Sequence, residues 1–430
     1  MVRYIGLDVH RREIEACVLD EAGSRLHRQR FDATREAIEG FASRWISAED
    51  QVALEATGNS WGVVEVLRPL ASEVVVSNPL LTKAIASAKV KTDKVDAAVL
   101  AQLLRCDYLP RVWEPDAATR SLRRLTSRRT SVLRGRTAAK NRIHAVLAER
   151  LIPLEGHELF GPVGRQWLAA LELDEESRCL VDMDLRLIDG VDEEVRRLDE
   201  ILFRRGHGDE RVKLLMTLPG VSIGVAQGLI AAWGSIERFA DPAHAASYLG
   251  LVPVTKQSGD RCYHGPITKA GNGHARSMMI QAAQHLATEP GPLGAFFRKI
   301  AKRKCWNVAV TATARKMAEI AFLMLKNREP YRYAKPTQVE TKLAKLRVRA
   351  TGEVRPPTRR EGKRRPAEAA QGDWVRRIRP LAEVYEREGL PAMHPIGAGE
   401  QRALRAAKVK TFVEGLAREH LVVRKKSPKE

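Results

Sequence analysis

The sequence has little cysteine and no long apolar segment. Its five cysteines are scattered and form no CxxC pair, which argues against a zinc site or a disulfide framework and indicates a reducing compartment. No apolar run reaches about 18 residues, the length that a membrane-spanning helix needs. The opening MVRYIGLDVHRR lacks the apolar core of a signal peptide. We therefore expect a cytoplasmic protein without a membrane partner.

Positive charge is present in excess. The 430 residues include 73 Lys and Arg against 53 Asp and Glu, a net charge of +20, and the isoelectric point is near 10.0. The chain is long enough for two or three domains, and its 44% hydrophobic content is sufficient for their cores. So large an excess favours a nucleic-acid partner over charge that only keeps the protein soluble.

The stretch KVKTDKVDAAVLAQLLR, residues 89–105, predicts a helix that begins at Thr92. Asp93 and Asp96 lie three residues apart, so both carboxylates face the side that Leu100 and Leu103 continue. Carboxylates turned toward an apolar interior are costly unless cations or donors neutralise them. The alternative is that these acids only favour the dipole of the first helical turn.

Two upstream acids shift the balance between these alternatives. Asp8 interrupts the apolar run RYIGLDVH, and Glu55 ends the run QVALEATG; both runs are predicted strands. Asp8, Glu55, Asp93 and Asp96 together offer the hard oxygen ligands that Mg²⁺ or Mn²⁺ prefers. Two such ions about 4 Å apart can hold the attacking and leaving oxygens of a phosphodiester.

The order of elements is compatible with this site. The first 105 residues predict three strands, a helix over 35–45, the Glu55 strand, a helix over 61–70, a strand over 73–76 and the Asp93 helix. The D–E–D–D set on this framework resembles the RuvC-like, ribonuclease H-type nuclease domain. The phrases IGLDVH, LEATGNSW, VSNP and KTDKVDAAVLAQLL resemble the IS110-family transposases, which include the Piv-type DNA invertases.

Residues 115–210 predict a helical hairpin or coiled-coil arm. The segment from Ala118 to Leu151 carries many arginines on a helical pattern, and a second helix is predicted to bury a stripe that runs from Leu180 through Leu187 to Leu202. Few acids lie nearby in sequence, so we expect the arginines to contact phosphates rather than to form a solvated face. The arginines singled out are Arg123, Arg124, Arg128 and Arg129.

From Arg211 the sequence predicts a helix, a tight turn at Pro219–Gly220 and a helix that starts near Ser222. Such a helix–hairpin–helix can direct backbone N–H groups at a phosphate, although an ordinary connection between two helices is an equal alternative. The phrases SYLGLVP, QSG and ITKAGNGHAR continue the resemblance into the C-terminal domain of the same family, over residues 211 to about 330.

Ser258 lies in TKQSGDRCYHGPITKAGN, which is predicted to be an irregular basic loop. A serine beside a glycine is usually only a turn residue, but the resemblance implies that Ser258 is the nucleophile that joins covalently to DNA. A serine hydroxyl needs activation; His264 and His274 are candidates, and metals held by the four carboxylates are the more economical one. Lys256, Arg261, Lys269 and Arg276 are expected to neutralise the phosphate.

Residues 336–430 carry 23 Lys and Arg against 12 Asp and Glu. The stretch TGEVRPPTRREGKRRPAEAAQG is typical of a disordered basic linker, and two short helices are predicted after it. This tail either adds non-specific nucleic-acid affinity or is an extension without a catalytic role.

The interpretation is a protein of α/β plus α class in four domains. These are a RuvC-like mixed-sheet domain at 1–114, a helical coiled-coil arm at 115–210, a small mainly helical domain with the helix–hairpin–helix at 211–334, and a basic, partly disordered tail at 335–430. The resemblance implies a DNA transposase or recombinase with two Mg²⁺ or Mn²⁺ ions, a serine–DNA intermediate and a structured non-coding RNA that selects the target. It also implies a bacterial protein that is associated with the nucleoid.

We expect a homo-oligomer, from dimer to tetramer, in which Ser258 acts beside carboxylates of another subunit. A site closed within one chain is the alternative. Three other functions stay open: a junction resolvase that hydrolyses DNA with water, a site-specific invertase, and a non-enzymatic nucleic-acid scaffold.

Overall fold

A computed structural model describes residues 1–85, 93–154, 158–258, 261–354 and 374–424 of the chain. For Asp93, Lys94, His264 and the segments 374–377 and 420–424 the description covers the backbone alone. Contacts divide the chain into two compact units, Met1–Pro115 and Asp116–Glu430; the four predicted domains stay a prediction. Within the described ranges, no helix is both long and apolar enough to cross a membrane.

The first unit is a mixed α/β fold, as predicted. Its five-stranded sheet has the order β3-β2-β1-β4-β5. Strand β1 pairs antiparallel with β2 and parallel with β4, and β4 pairs parallel with β5. The elements are β1 Tyr4–Val9, β2 Glu13–Leu19, β3 Arg25–Asp32, α1 Arg35–Trp45, β4 Gln51–Glu55, α2 Ser60–Leu67, β5 Glu73–Ser77, α3 Pro79–Ile85 and α4 Asp93–Arg105.

Both faces of this sheet are covered, which explains why β1 and β4 are almost continuously apolar. Ile5 and Leu7 on one face pack with α1 and α2 through residues such as Phe41 and Leu67. On the other face, α4 covers the sheet with small residues and with Leu100. The helix is thereby held against the middle of the sheet.

The close contact of α4 with the sheet depends on Gly6. A Cβ atom at Gly6 would lie 2.0 Å from the carbonyl oxygen of Ala97 and 2.6 Å from the backbone nitrogen of Ala101. Because glycine has no side chain, the helix backbone can rest directly on β1.

The second unit begins with two long helices, α5 Ala117–Glu149 and α7 Glu175–His207, with the short helix α6 Pro162–Ala170 between them. Each long helix has 33 residues, so each is about 50 Å long. Asp116 caps α5 and Asp174 caps α7 by accepting a backbone N–H of the first turn. The two helices pack antiparallel, so the predicted helical hairpin is present.

The predicted apolar stripe of the second arm helix is wrong at two positions. Leu180 is 52% exposed and Leu187 is 45% exposed. In this part of α7 the buried residues include Val181, Asp184 and Ile188 instead, whereas Leu202 of the predicted stripe is buried as expected. The reason is that Asp184 occupies an inward position, where it pairs with an arginine of α5. Because this inward residue is polar, the buried side of the helix does not form a continuous apolar pattern in the sequence.

The rest of the second unit is mainly helical around one large core, which includes Trp233, Phe297 and Phe322. Its elements are α8 Glu210–Met216, α9 Ile223–Trp233, α10 Pro242–Tyr248, β6 Pro253–Ser258, β7 Arg261–Ile267, α11 Gly273–Gln284, a 3₁₀ helix His285–Thr288, α12 Pro292–Arg303, α13 Trp306–Asn327 and α14 Pro336–Thr351. Helices α8 and α9 are joined by a turn at the predicted place.

A lysine from α14 holds the turn between α8 and α9. The ammonium group of Lys342 donates to the carbonyl oxygens of Leu218 and Val221, both at 3.0 Å. Burial disfavours the charged ammonium and lowers the pKa of Lys342 to about 8. The Gly220 backbone has φ +75, a left-handed conformation that glycine adopts at little cost.

The described part of the C-terminal tail packs into the same core. Its elements are β8 Trp374–Ile378, α15 Leu381–Arg387, α16 Ala398–Ala406, α17 Lys410–Leu416 and β9 His420–Arg424. Tyr385 is buried and its hydroxyl donates to the carbonyl oxygen of Tyr331, and Arg347 of α14 pairs with Glu388. Three short helices and a two-stranded sheet therefore replace the predicted two helices. Most of the predicted disordered linker, residues 355–373, lies outside the described residues.

Candidate active site

Asp8 and Glu55 lie side by side at the ends of two parallel strands. The register of β1 and β4 pairs Leu7 with Leu54, and each carboxylate follows one residue later. Neighbouring strands are about 4.8 Å apart, and residues at the same level point to the same face. Asp8 is only 14% exposed and Glu55 is half-buried. Two of the four predicted carboxylates are thus brought together.

The direction of α4 brings a third carboxylate toward this pair. At the C-terminal end of α4, the amide of Gln102 donates to the carbonyl oxygen of Gly23, 3.1 Å away, in the turn between β2 and β3. This turn lies near the start of β1, because Tyr4 pairs with Leu19. The N-terminal end of α4, with Asp93 and Asp96, therefore lies toward the end of β1.

Asp8 and Gly6 share one face of β1, since side chains alternate along a strand. Gly6 contacts the backbone of α4 at Ala97, so Asp8 points to the side of the sheet that α4 covers. Asp96, which precedes Ala97, is half-buried. Asp93 begins the helix one turn earlier.

A hydrogen-bond network fixes the two strand ends to each other. His10 Nε2 lies 3.2 Å from Asp8 Oδ2. The side-chain amide of Asn59 donates to the carbonyl oxygen of His10 at 2.9 Å. This bond joins the chain after β1 to the loop after β4, and it thereby restrains the segments that carry Asp8 and Glu55.

Ser60 secures the other side of that loop. Its buried hydroxyl donates to the carbonyl oxygen of Glu55 at 2.9 Å and accepts from the backbone N–H of Thr57 at 2.5 Å. Thr57 in turn donates its hydroxyl to Asn59 Oδ1 at 3.0 Å. The hydrogen bonds within the segment EATGNS therefore hold the backbone of Glu55 in place. The resemblance of this segment to a family motif did not by itself reveal that role.

A fifth acidic residue next to the site was missed by sequence reasoning. Glu15 of β2 stands directly opposite Asp8 in the antiparallel register and is 6% exposed. Its charge is balanced by Arg28 of β3, whose Nε donates to Glu15 Oε1 at 2.6 Å. The alternation of the β1–β2 hairpin could have revealed it, because Glu15 shares a face with the inward-pointing Cys17.

The chemistry of these donors fits a hard divalent cation. Carboxylate oxygens are the ligands that Mg²⁺ and Mn²⁺ prefer. Among the side chains that the structure describes, which do not include that of Asp93, no group of three or more acidic, histidine or cysteine residues is close enough to hold an ion. The backbone nevertheless directs Asp8, Glu55 and the start of α4 to the same end of the sheet.

Ser258 lies at the tip of a two-stranded hairpin, so the predicted irregular loop is wrong. It ends β6 and pairs with Arg261, the first residue of β7. Both faces of β6 near the tip are exposed and polar, so the segment lacks the alternation of apolar and polar residues by which strands are recognised. Ser258 itself is exposed.

The four basic residues predicted around Ser258 fall into two groups. Lys256 and Arg261 are exposed on the hairpin. Lys269 adopts a left-handed backbone with φ 54, and its carbonyl oxygen accepts from Arg276 Nη1 at 2.9 Å. Arg276 also donates to the carbonyl oxygen of Leu249. Arg276 thus holds this loop together from within the protein.

The two histidine candidates differ as well. His264 belongs to β7, and its side chain lies outside the described residues. His274 is half-buried, and its Nε2 lies 2.7 Å from the hydroxyl of Thr130 in α5. Burial and the nearby charge of Arg134 lower the pKa of His274, which favours the neutral ring at pH 7.

The arm arginines also fall into two groups. Arg123 donates to the carbonyl oxygens of Ala231 and Ala232 at the end of α9, at 2.6 and 2.9 Å. Arg129 binds Asp199 of α7, with Nη2 3.2 Å from Oδ2. Arg124 and Arg128 are exposed on α5, where solvent and phosphates have access to them.

Acids of α7 balance several arginines of α5. Besides Arg129 with Asp199, Arg136 binds Asp192 at 2.6 Å and Arg142 binds Asp184 at 3.0 Å. These three partners lie between 42 and 70 residues away in sequence. The expectation that the arginines lack nearby acids fails in three dimensions, because the antiparallel hairpin supplies them.

Two family models match the chain, and both describe transposases. Residues 5–151 match the DEDD transposase domain of IS110 type, and residues 212–296 match the model described as "Transposase IS116/IS110/IS902 family". The first match includes all four predicted carboxylates and the second includes Ser258. The chain belongs to the IS110 family of transposases.

Three curated relatives illustrate the similarity. The chain is 26% identical to the protein y4qE of Sinorhizobium fredii over 61% of this chain and 64% of the relative. It is 22% identical to the transposase for insertion sequence element IS1111A of Coxiella burnetii, over 77% of this chain and 92% of that protein. It is 25% identical to the pilin gene-inverting protein of Moraxella bovis, over 76% of this chain and 97% of that protein.

Proposed function

We propose that this protein cuts and rejoins DNA strands at the ends of an insertion sequence. Asp8, Glu55, Asp93 and Asp96 would hold two divalent metal ions, Mg²⁺ or Mn²⁺, and Ser258 would attack the DNA. The observation that carries the proposal is the position of Asp8 beside Glu55 at the end of β1, the end toward which α4 directs Asp93 and Asp96. Family membership supports the same set of residues.

The chemistry would divide between the two sets of residues. The Ser258 hydroxyl oxygen would lose its proton and form a bond to the scissile phosphorus, while the bond from phosphorus to one DNA oxygen breaks. That oxygen takes up a proton, so this strand end leaves as a hydroxyl. The bound metals would lower the cost of charge on these oxygens. Lys256 and Arg261 are exposed on the same hairpin as Ser258, where they would neutralise the phosphate.

A nucleic-acid partner beyond the DNA substrate is part of the proposal. The net charge of +20 is larger than one catalytic site requires, and Arg124 and Arg128 present cations along α5. Phosphate contacts of this kind bind DNA and RNA alike. We include a structured non-coding RNA of the element as the guide for target choice.

The arm offers a surface for assembly into a homo-oligomer. Leu180, Met183 and Leu187 are each at least 45% exposed and recur at helical spacing on α7. Such a stripe on a long helix is typical of a helix–helix interface. We propose that a second copy of the chain covers it.

Two alternatives give different products. A junction resolvase would use water at the same carboxylates, so it would leave no protein joined to DNA. An invertase is favoured by the similarity to the Moraxella bovis protein, which extends over 97% of that relative. The orientation of the DNA between recombined sites separates inversion from excision and insertion.

The metal site is tested by Mn²⁺ titration of the wild-type protein and of Asp8→Ala, Glu55→Ala, Asp93→Ala and Asp96→Ala. We expect each variant to bind Mn²⁺ more weakly and to lose DNA cleavage while keeping its fold, because removal of one acid relieves repulsion between carboxylates. Glu39→Ala, which removes an exposed acid of α1, is the control. Cleavage at the wild-type rate by any folded carboxylate variant would remove that residue from the site.

A further inference from the structure

We propose that Tyr263 is the platform on which an unpaired DNA base stacks beside the scissile phosphate. Tyr263 lies in β7 and is 70% exposed. The inference depends on the proposed function of Ser258, and it adds a recognition element that the carboxylates and the basic residues do not supply. The ligand is a single-stranded nucleotide next to the point of cleavage.

The register of the hairpin places Tyr263 on the same face as Ser258. Ser258 pairs with Arg261, and Lys256 pairs with Tyr263. Because side chains alternate along each strand and paired residues point to one face, these four residues form a single surface. Tyr263 and Ser258 are diagonal neighbours across the two strands, about 7 Å apart.

This surface combines the groups that hold single-stranded nucleic acid. Lys256 and Arg261 supply positive charge for phosphates, and Tyr263 supplies an aromatic ring for a base. Ser258 is exposed and lies next to both cations, Lys256 along its own strand and Arg261 on the paired strand. A strand whose phosphate reaches Ser258 would bring an adjoining base over Tyr263.

The neighbour of Tyr263 on this face leaves the ring open. Side chains two apart in a strand share a face, and that position is Gly265. A Cβ atom built on Gly265 would lie 3.9 Å from Cε1 of Tyr263, so any larger side chain there would contact the ring. The glycine therefore keeps one side of the tyrosine accessible to a flat ligand.

Stacking can be separated from charge by two probes of equal length, an oligothymidylate and an abasic phosphodiester chain. Stacking of one base contributes about 1–3 kcal/mol, so Tyr263→Ala should weaken oligothymidylate binding roughly 5- to 150-fold. The same variant should bind the abasic chain as the wild type does. Tyr263→Phe keeps the ring and should bind both probes normally.

Two further variants and a folding control complete the experiment. Lys256→Gln with Arg261→Gln should weaken binding of both probes, because phosphates are common to them. Tyr108→Ala removes a tyrosine that is 65% exposed in the first unit and should change neither affinity. Thermal unfolding at the wild-type midpoint would establish that Tyr263→Ala is folded.

Two results would overturn the inference. One is a Tyr263→Ala protein that binds oligothymidylate with wild-type affinity. The other is a Tyr263→Phe protein that loses as much as Tyr263→Ala, which would assign the effect to the hydroxyl. Failure of the proposed function would look different: the wild type would form no covalent adduct with cleavable DNA, whatever the affinity of the Tyr263 variants.

Discussion

Substitution of Gly6 by alanine should shift α4 away from the sheet and disable the proposed metal site without replacing a carboxylate. The new Cβ would lie 2.0 Å from the carbonyl oxygen of Ala97. The helix atoms that this Cβ would meet, in Ala97 and Ala101, all belong to the backbone, so no side-chain rotation can relieve the overlap. The helix itself has to move, and it carries Asp93 and Asp96.

The size of the effect follows from the geometry. A Cβ atom does not approach within 3.0 Å of a non-bonded heavy atom. The carbonyl oxygen of Ala97, and α4 with it, must therefore move away by about 1 Å. Overpacking of a core costs about 1–3 kcal/mol of stability. A displacement of about 1 Å at a catalytic group costs on the order of 100-fold in rate.

The assays are urea unfolding and DNA cleavage by the full-length protein. Gly40→Ala is the matched control, because a Cβ atom at Gly40 meets nothing within 4 Å and alanine favours the helix α1 that contains it. We expect Gly6→Ala to unfold at lower urea than the wild type and to cleave DNA about 100-fold more slowly. If Gly6→Ala matched the wild type in both assays, the contact between α4 and β1 would be refuted.

Three other predictions follow from single contacts. Replacing Arg124 and Arg128 by glutamine should flatten the slope of log affinity against log salt by about two units, whereas an unchanged slope would show that they only cover α5. Asn59→Leu cannot donate to the His10 carbonyl and adds no charge, so it should weaken Mn²⁺ binding about 10- to 100-fold. Asn141→Leu, at an exposed position of α5, should not weaken it, and equal Mn²⁺ affinities of Asn59→Leu and the wild type would contradict the supporting role. Burial lowers the pKa of Lys342 from 10.5 to about 8 in the folded protein, so between these pH values the unfolded chain binds more protons than the folded one. The free energy of unfolding of the wild type, relative to that of Lys342→Met, should therefore rise with pH in this window. Parallel pH profiles of the two proteins would contradict that linkage.

The first unit could be predicted from sequence to a large extent. After three consecutive strands, its helices and strands alternate, and apolar runs such as the one around Ile5 and Leu7 indicate strands that are buried on both faces. The predicted helix over 35–45 coincides with α1. Acids that interrupt such runs stand out, so Asp8 and Glu55 could be selected before any geometry was known.

The second unit could not be predicted from the sequence where polar residues occupy positions in strands or in the buried face of a helix. The β6–β7 hairpin has no apolar face near its tip, so nothing in its pattern distinguishes a strand from a loop. Asp184 takes a buried position of α7 and pairs with the exposed Arg142 of α5, and local sequence contains no sign of a partner 42 residues away. Charge balance across an antiparallel hairpin is a property of the fold, so Arg123 and Arg129 could not be distinguished from Arg124 and Arg128.

Mass spectrometry of the covalent protein–DNA product tests the central claim most directly. The wild-type protein would be incubated with cleavable element-end DNA and Mg²⁺, then denatured and digested. We expect a nucleotide joined to the Ser258 oxygen, and no such product from Ser258→Ala or without metal. A DNA adduct on another residue, such as Tyr263, or cleavage by wild type that leaves no adduct, would contradict it.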